Sequence, residues 1–392
     1  MTHVAVNNKT RVLIAARWPV GGIRSYLRYT YGMLSPDEFD ISILGPKSSE
    51  LEECRGVLEA YSPRIHACES PSMRHMLRGY SRALRDEKFD VVHSQGYSSA
   101  VAGALPVRLR GVPHIVSIHD MFTHALRRKW SVRLGRLGLA AALGMVDVVQ
   151  ATGAAVEANF REHMDLWPAT RPRLVTLRNG IDITRFAGES RRDLHQELGL
   201  GSDDFLIGFL GRFMAIKGFH VLIRAIAQLR GEAGLPCRPV VVAVGSGGFV
   251  REDKAAIEQQ SLSEHFHFLP HTNNVAATLR GLDVVVIPSF SEASPLLPME
   301  AQCSGTPVIA SATPGLLDVL KDSPAKIFPI GDASALADAL RATMLAPASE
   351  THRSFRREAM SRFDAQRTAR AIRALLLDLA SGRSPVADSV KA

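Results

Sequence analysis

Short apolar runs recur along the chain, separated by longer stretches in which apolar residues return every three or four positions. In the first half the runs are residues 11–16, 39–44, 90–93, 114–118, 146–151 and 174–177. In the second they are 205–210, 239–244, 266–269, 283–287, 307–310 and 326–328. Runs that lack polar alternation predict strands buried on both faces, the pattern of a parallel sheet covered by helices. Intervening stretches such as 217–230 and 334–343 have helical spacing. Two such series in a row predict an α/β chain of two Rossmann-like, doubly wound parallel-sheet domains.

An Asn-Gly turn signal in Arg178-Asn179-Gly180-Ile181-Asp182 follows the last strand of the first series and sets the joint there. The expected domains are 1–180 and 181–365, followed by a helix at 366–380 and a disordered tail at 381–392. In such proteins ligands sit beyond the carboxyl ends of the strands, here in a cleft across which the domains face each other. The informative loops are those directly after strands.

Composition narrows the class. The 392 residues are 46% hydrophobic and 22% charged, as expected of a globular protein with two domains. Four cysteines form no Cys-x-x-Cys pair, which fits a reducing compartment. The polar start predicts no cleaved signal, and the longest apolar stretch, 137–146, falls short of the ~20 residues that span a bilayer. A cytoplasmic protein is expected, at the cytoplasmic membrane face if it meets lipid. The charge is uneven. Residues 1–185 hold 25 Lys and Arg against 17 Asp and Glu, whereas the remainder holds 22 of each, so the whole net charge of +8 belongs to the first part.

Four loops could carry chemistry. After the first strand, Gly21-Gly22 precedes a helical pattern from Tyr26. Paired glycines let backbone N–H groups approach an anion or a sugar, though a plain strand-to-helix turn explains the string equally well. Gly211-Arg212-Phe213-Met214-Ala215-Ile216-Lys217-Gly218 places two cations around a turn that opens a helix, which suits a diphosphate or ordinary surface charge. Val244-Gly245-Ser246-Gly247-Gly248 lacks dinucleotide spacing. The fourth runs from Pro288 through Glu292-Ala293-Ser294-Pro295-Leu296 to Glu300, with Pro295 suited to a helix's first turn. Carboxylates at a strand's carboxyl end can accept hydrogen bonds from sugar hydroxyls. His93, at the end of another strand, reads better as a packed or solvent-facing residue than as a catalytic one. No Asp-x-Asp string or metal-ligand spacing occurs, and no metal or cofactor is expected.

The order Gly-Gly loop, His119-Asp120 after a strand, Asn-Gly-Ile-Asp, Gly-Arg-x4-Lys-Gly and Glu-x7-Glu resembles the retaining glycosyltransferases of family 4, over about residues 11–310. These enzymes have the GT-B architecture of two Rossmann-like domains. The resemblance implies that Arg212 and Lys217 hold a donor's diphosphate and that Glu300 binds the ribose. It implies further that Glu292 and His119 face the transferred sugar, and that Gly21 and Gly22 lie near the phosphates and acceptor. Gly211, Gly245, Ser294, Pro295 and Leu296 complete the expected donor site. Many members have Glu-Gly-Phe-Gly where this chain has Glu292-Ala293-Ser294-Pro295, so the resemblance does not extend to the donor sugar's identity.

The activity implied is transfer of a sugar from a UDP- or GDP-linked donor to an acceptor hydroxyl, with retained configuration. Surface polysaccharide, glycolipid or lipid-linked glycan synthesis is the expected setting. A same-face route, in which the leaving phosphate helps deprotonate the acceptor, is part of that implication. So are closure about residues 179–182 and the return of helix 366–380 to the first domain. A non-catalytic sugar-nucleotide sensor would need the same residues. The basic excess has two candidate sources. Arg74, Arg78, Arg82 and Arg85 accompany an apolar stripe of Met73, Leu77, Tyr80 and Leu84, and Arg127, Arg128, Lys129, Arg133 and Arg136 surround Trp130. Either is a solvated face or a surface for an anionic membrane or lipid-linked glycan acceptor. Nucleic acid is not expected, because no nucleic-acid-binding signature accompanies the charge.

Overall fold

The computed structural model describes residues 9–122, 130–164, 173–232, 234–272, 274–347 and 349–383. The chain divides into two compact units, 1–180 together with 365–392, and 181–364. The expected tail at 381–392 lies outside the described residues from 384 onward.

The first unit is built on β1 (Thr10–Ala16), β2 (Phe39–Pro46), β3 (Arg64–Cys68), β4 (Val91–Gln95), β5 (His114–Ile118), β6 (Val148–Ala151) and β7 (Arg173–Thr176). Their order across the sheet is β3-β2-β1-β4-β5-β6-β7, with every pair parallel. The chain winds outward from β1 to β3 and then jumps back to β4, so the winding reverses between β1 and β4. Val12 to Ala16 are at most 1% exposed, the burial that an unalternated run requires. Helix Ala365–Ala380 belongs to this unit, where Ile372, Leu375 and Leu376 join the core of β1 and β2.

The second unit holds β8 (Asp204–Leu210), β9 (Arg238–Val244), β10 (Phe266–Leu269), β11 (Val284–Ile287), β12 (Val308–Ser311) and β13 (Lys326–Phe328), in the order β10-β9-β8-β11-β12-β13. All of its pairs are parallel as well. Here the winding reverses between β8 and β11. Ligands of doubly wound sheets bind beyond the carboxyl ends of the strands at these reversals.

Three sequence expectations are corrected. β3 was not expected, because its edge position leaves Arg64 and Ala67 exposed and no continuous apolar run survives. The helix after β1 begins at Gly22 rather than Tyr26, since Gly21 at φ 51° turns the chain straight into it. Pro295 lies in the loop, because the helix after β11 spans Leu297–Ser304 and Pro298 takes the early proline position.

Candidate functional site

The reversal of the second sheet brings together two loops 75 residues apart in sequence. Lys217 ends the turn Ala215–Lys217 after β8, and its ammonium donates to Glu292 Oε1 at 2.7 Å. Glu292 lies in the loop after β11, and the Ser289 hydroxyl donates to the same oxygen at 2.7 Å. Ser289 is fixed in turn by Ser311 on β12, whose hydroxyl donates to its carbonyl. The backbone pins these loops together through Phe290 N–H, which donates to Ile216 O at 2.8 Å.

Two glycines make this approach feasible. Gly218 has φ +69°, and a Cβ there would lie 2.0 Å from the Pro288 carbonyl oxygen. Gly315, which follows β12, would put a Cβ 2.3 Å from the carbonyl oxygens of both Glu292 and Ala293. Gly211 and Gly245 approach closely, a Cβ on Gly245 lying 2.0 Å from the Gly211 carbonyl oxygen, and Gly211 N–H donates to Val244 O at 3.0 Å. Arg212 is exposed and makes no ion pair among the described residues. Glu300 stands in the first turn of helix Leu297–Ser304, and Ser294, Pro295 and Leu296 form the approach to it. A lysine, an arginine with no ion pair among the described residues and a helix N-terminus at the carboxyl end of one sheet are groups that can meet an anion such as a diphosphate.

The first sheet's reversal is neutral instead of ionic. Gly21 and Gly22 follow β1, and a Cβ on Gly22 would meet nothing within 4 Å. His119 follows β5, and its Nε2 lies 2.8 Å from Oε1 of Gln95, the last residue of β4. The Tyr26 ring packs edge-on against the imidazole, with centroids 4.9 Å apart. Burial lowers the His119 pKa to about 4, so the ring is neutral at ordinary pH.

Beneath His119 runs a chain of buried hydrogen bonds. The Gln150 carbonyl accepts from Ser117 at 2.5 Å and from Tyr26 at 3.1 Å. Ser117 has then spent its proton and must accept from His93 Nε2–H at 2.6 Å, which leaves His93 Nδ1 to accept from Tyr31 at 2.5 Å. His93 is wholly buried, which decides for the packed role over the solvent-facing one, and desolvation lowers its pKa to about 3. Gln95, Tyr26 and Ser289 escaped the sequence reading. Ser289 alone had a signal, its place in the Pro288–Glu300 string.

The basic stretches come out differently. Arg74, Arg78, Arg82 and Arg85 are exposed on helix Met73–Asp86. Its buried stripe is Met76, Tyr80, Ala83 and Leu84, however, and Leu77 lies 43% exposed among the arginines. Leu105 and Leu109 of helix Tyr97–Leu109 are exposed as well. Arg127, Arg128 and Lys129, with the side chains of Trp130 and Arg133, lie outside the described residues, and Arg136 donates to the His163 carbonyl. No helix among the described residues is long and apolar enough to cross a membrane. Among those residues, no three His, Cys, Asp or Glu side chains group as metal ligands.

Two family models match, "Glycosyltransferase Family 4" over residues 20–185 and "Glycosyl transferases group 1" over residues 190–362. The D-inositol 3-phosphate glycosyltransferase of Nocardia farcinica is 31% identical over 70% of this chain, a match that spans 62% of its own length. The enzyme of the same name from Actinosynnema mirum is 30% identical over 78% of this chain and 73% of its own. Among solved structures, Anabaena HepE in complex with UDP superposes with a TM-score of 0.75 at 17% identity, over 94% of this chain and 100% of that one. Sucrose-phosphate synthase from Thermosynechococcus elongatus gives 0.75 at 19%, over 95% and 100%. At such identities these two speak for the GT-B fold alone.

Proposed function

The chain belongs to the glycosyl transferases of group 1, family 4, and from that premise we propose that it moves a sugar from a nucleotide-diphosphate donor to an acceptor hydroxyl with retained configuration. The observation that carries the proposal is the Lys217–Glu292–Ser289 cluster at the second sheet's reversal, with exposed Arg212 on the same loop as Lys217. As the bond from sugar to phosphate loosens, negative charge builds on the departing diphosphate. Arg212 and Lys217 stabilise it, each through hydrogen bonds of about 1.5–3 kcal/mol. Glu292, already held by Ser289, lies against the sugar and gives up Lys217 in part to the phosphate. Glu300 accepts from the ribose hydroxyls. His119, neutral and supported from β4, meets a substrate hydroxyl, and the leaving phosphate oxygen takes the acceptor's proton.

The acceptor carries negative charge in this reading. The whole surplus of +8 lies in residues 1–185, and the relatives named above are inositol phosphate glycosyltransferases by title. Exposed Leu77 among four exposed arginines, with Leu105 and Leu109 exposed on helix Tyr97–Leu109, suits an acceptor presented at an anionic membrane, as a lipid-linked or surface glycan would be. Sedimentation with anionic liposomes at low salt tests that part, and a protein left in the supernatant removes it.

A thermal-shift panel of UDP- and GDP-sugars tests the donor, since a ligand at 100 times its Kd stabilises the folded state by about 2.7 kcal/mol. NMR of the product anomer follows, and an inverted linkage would overturn retention. Donor binding without hydrolysis or transfer would instead favour a sugar-nucleotide sensor.

A further inference from the structure

We propose that Gln95 is a positioning residue that fixes the tautomer of His119, holding it as the neutral Nε2–H imidazole with Nδ1 presented to a substrate hydroxyl. The inference rests on the sugar-transfer reading for the identity of that hydroxyl. It does not rest on it for the tautomer.

A glutamine carbonyl can only accept, so at 2.8 Å from Gln95 Oε1 the His119 Nε2 must carry the proton. The other ring nitrogen, Nδ1, makes no hydrogen bond to a described residue and keeps its lone pair. Gln95 is 1% exposed at the end of β4, and its strand neighbours Ala16 and Ser117 fix the backbone on either side. Tyr26 holds the imidazole from the helix above, and the Tyr26 hydroxyl is itself tied to Gln150 at 3.1 Å. The ring is therefore held by two supports, one polar and one aromatic. Which nitrogen of a histidine is protonated is set by the partner of the other, and a neutral amide sets it without adding charge. A carboxylate at the same place would favour a second proton on the ring, so the acceptor at Nδ1 would be lost at a higher pH than with the amide. Among the described residues, the titratable groups around the imidazole are Tyr26 from helix Gly22–Thr30, His93 from β4 and the adjacent Asp120.

The test is 15N NMR of the imidazoles in the full chain, with His119 assigned by the signal missing in His119→Gln. The wild type is expected to show the Nε2–H tautomer, unprotonated from pH 8 to pH 5.5. Gln95→Glu keeps the acceptor but adds charge, so the same tautomer is expected at pH 8, with a titration midpoint at least one unit higher. The acid limb of the transfer rate should move with that midpoint. Gln95→Met is expected to mix the tautomers and to lower kcat about tenfold with a smaller change in KM. An Nδ1–H tautomer in the wild type would overturn the inference, as would a folded Gln95→Glu whose midpoint and rate profile match the wild type. Should Gln95→Glu not fold, the wild-type spectrum and Gln95→Met decide. A protein that transfers no sugar fails the functional reading, while the spectrum still decides the tautomer.

Discussion

The two units share a doubly wound parallel sheet and differ in what fills it. Every tryptophan and tyrosine of the chain, three and six, lies in residues 1–180. There the tyrosine tips meet histidine, serine and glutamine on β4, β5 and β6, in bonds such as Tyr31–His93 and Tyr80–Ser94. In the second unit the corresponding space holds phenylalanines. Phe209, Phe213 and Phe219 pack with centroids 4.6–5.4 Å apart and no polar atom among them. A buried chain of histidine, serine and tyrosine is exacting about protonation, and a cluster of phenylalanines is not. The loops mirror this. One reversal ends in a neutral imidazole and the other in an ion pair.

Acid is the strongest way to break the comparison. His93 and His114 are buried with pKa values lowered to about 3, far below the 6.5 of an unfolded chain. Between pH 6.5 and 3 the unfolded state takes up protons that the folded state refuses, so stability falls as pH falls through that window. Each group costs about 1.4 kcal/mol per pH unit, on the order of 5 kcal/mol for both at pH 4.5. Since all the tryptophan lies in the first unit, fluorescence excited at the indole band reads that unit alone. Its urea midpoint should drop between pH 7 and 4.5 while far-UV circular dichroism keeps a second, later transition. One coincident transition at both pH values would erase the contrast.

Next in size is Gly218→Ala. A methyl group 2.0 Å from a carbonyl oxygen, at φ +69°, should cost about 2–4 kcal/mol of stability in the second unit. A donor-induced thermal shift should weaken in parallel, because the turn carrying Lys217 must move. Gly22→Ala, with open space at that Cβ, serves as the control and should leave the melting temperature nearly unchanged. Equal melting of the two variants would show that the close approach to Pro288 is not needed.

Much of this was legible before any fold was known, and the losses have physical causes. Unalternated runs such as 239–244 revealed the strands because both their faces are covered. β3 stayed hidden because an edge strand is only partly covered and tolerates polar residues such as Arg64 and His66, which break up any apolar run. Lys217 and Glu292 each stood out within a loop string. Their contact at 2.7 Å comes from the adjacency of β8 and β11, which no local pattern encodes. Gln95 carries no motif at all, and its meaning arises only when β4 lies beside β5. Leu77 was assigned to the wrong face because Met73, Leu77, Tyr80 and Leu84 fit helical spacing as well as the true stripe does.

The remaining predictions probe the ionic reversal. Lys217→Ala should lower kcat/KM by roughly 10- to 150-fold, the equivalent of a charge-assisted bond of about 1.5–3 kcal/mol, with stability little changed. Arg212→Ala should fall in the same range although Arg212 makes no ion pair among the described residues. Such a result would mark both cations as donor ligands instead of structural ones.

The smallest effect expected is that of Ser289→Ala. Ser289 is 1% exposed and donates to the oxygen of Glu292 that Lys217 also engages. Removing the hydroxyl leaves Lys217 as that oxygen's one remaining partner among the described residues and frees the carboxylate to turn. The cost should be about 1 kcal/mol, or roughly fivefold in kcat, with donor affinity nearly intact because the cations that hold the diphosphate remain. The double variant with Lys217→Ala separates the two supports. If Ser289 acts only by orienting Glu292 toward Lys217, its effect disappears once Lys217 is gone, and the cycle shows a coupling near the full 1 kcal/mol. If Glu292 meets the sugar on its own account, the serine's contribution survives in the absence of the lysine, and the two losses add.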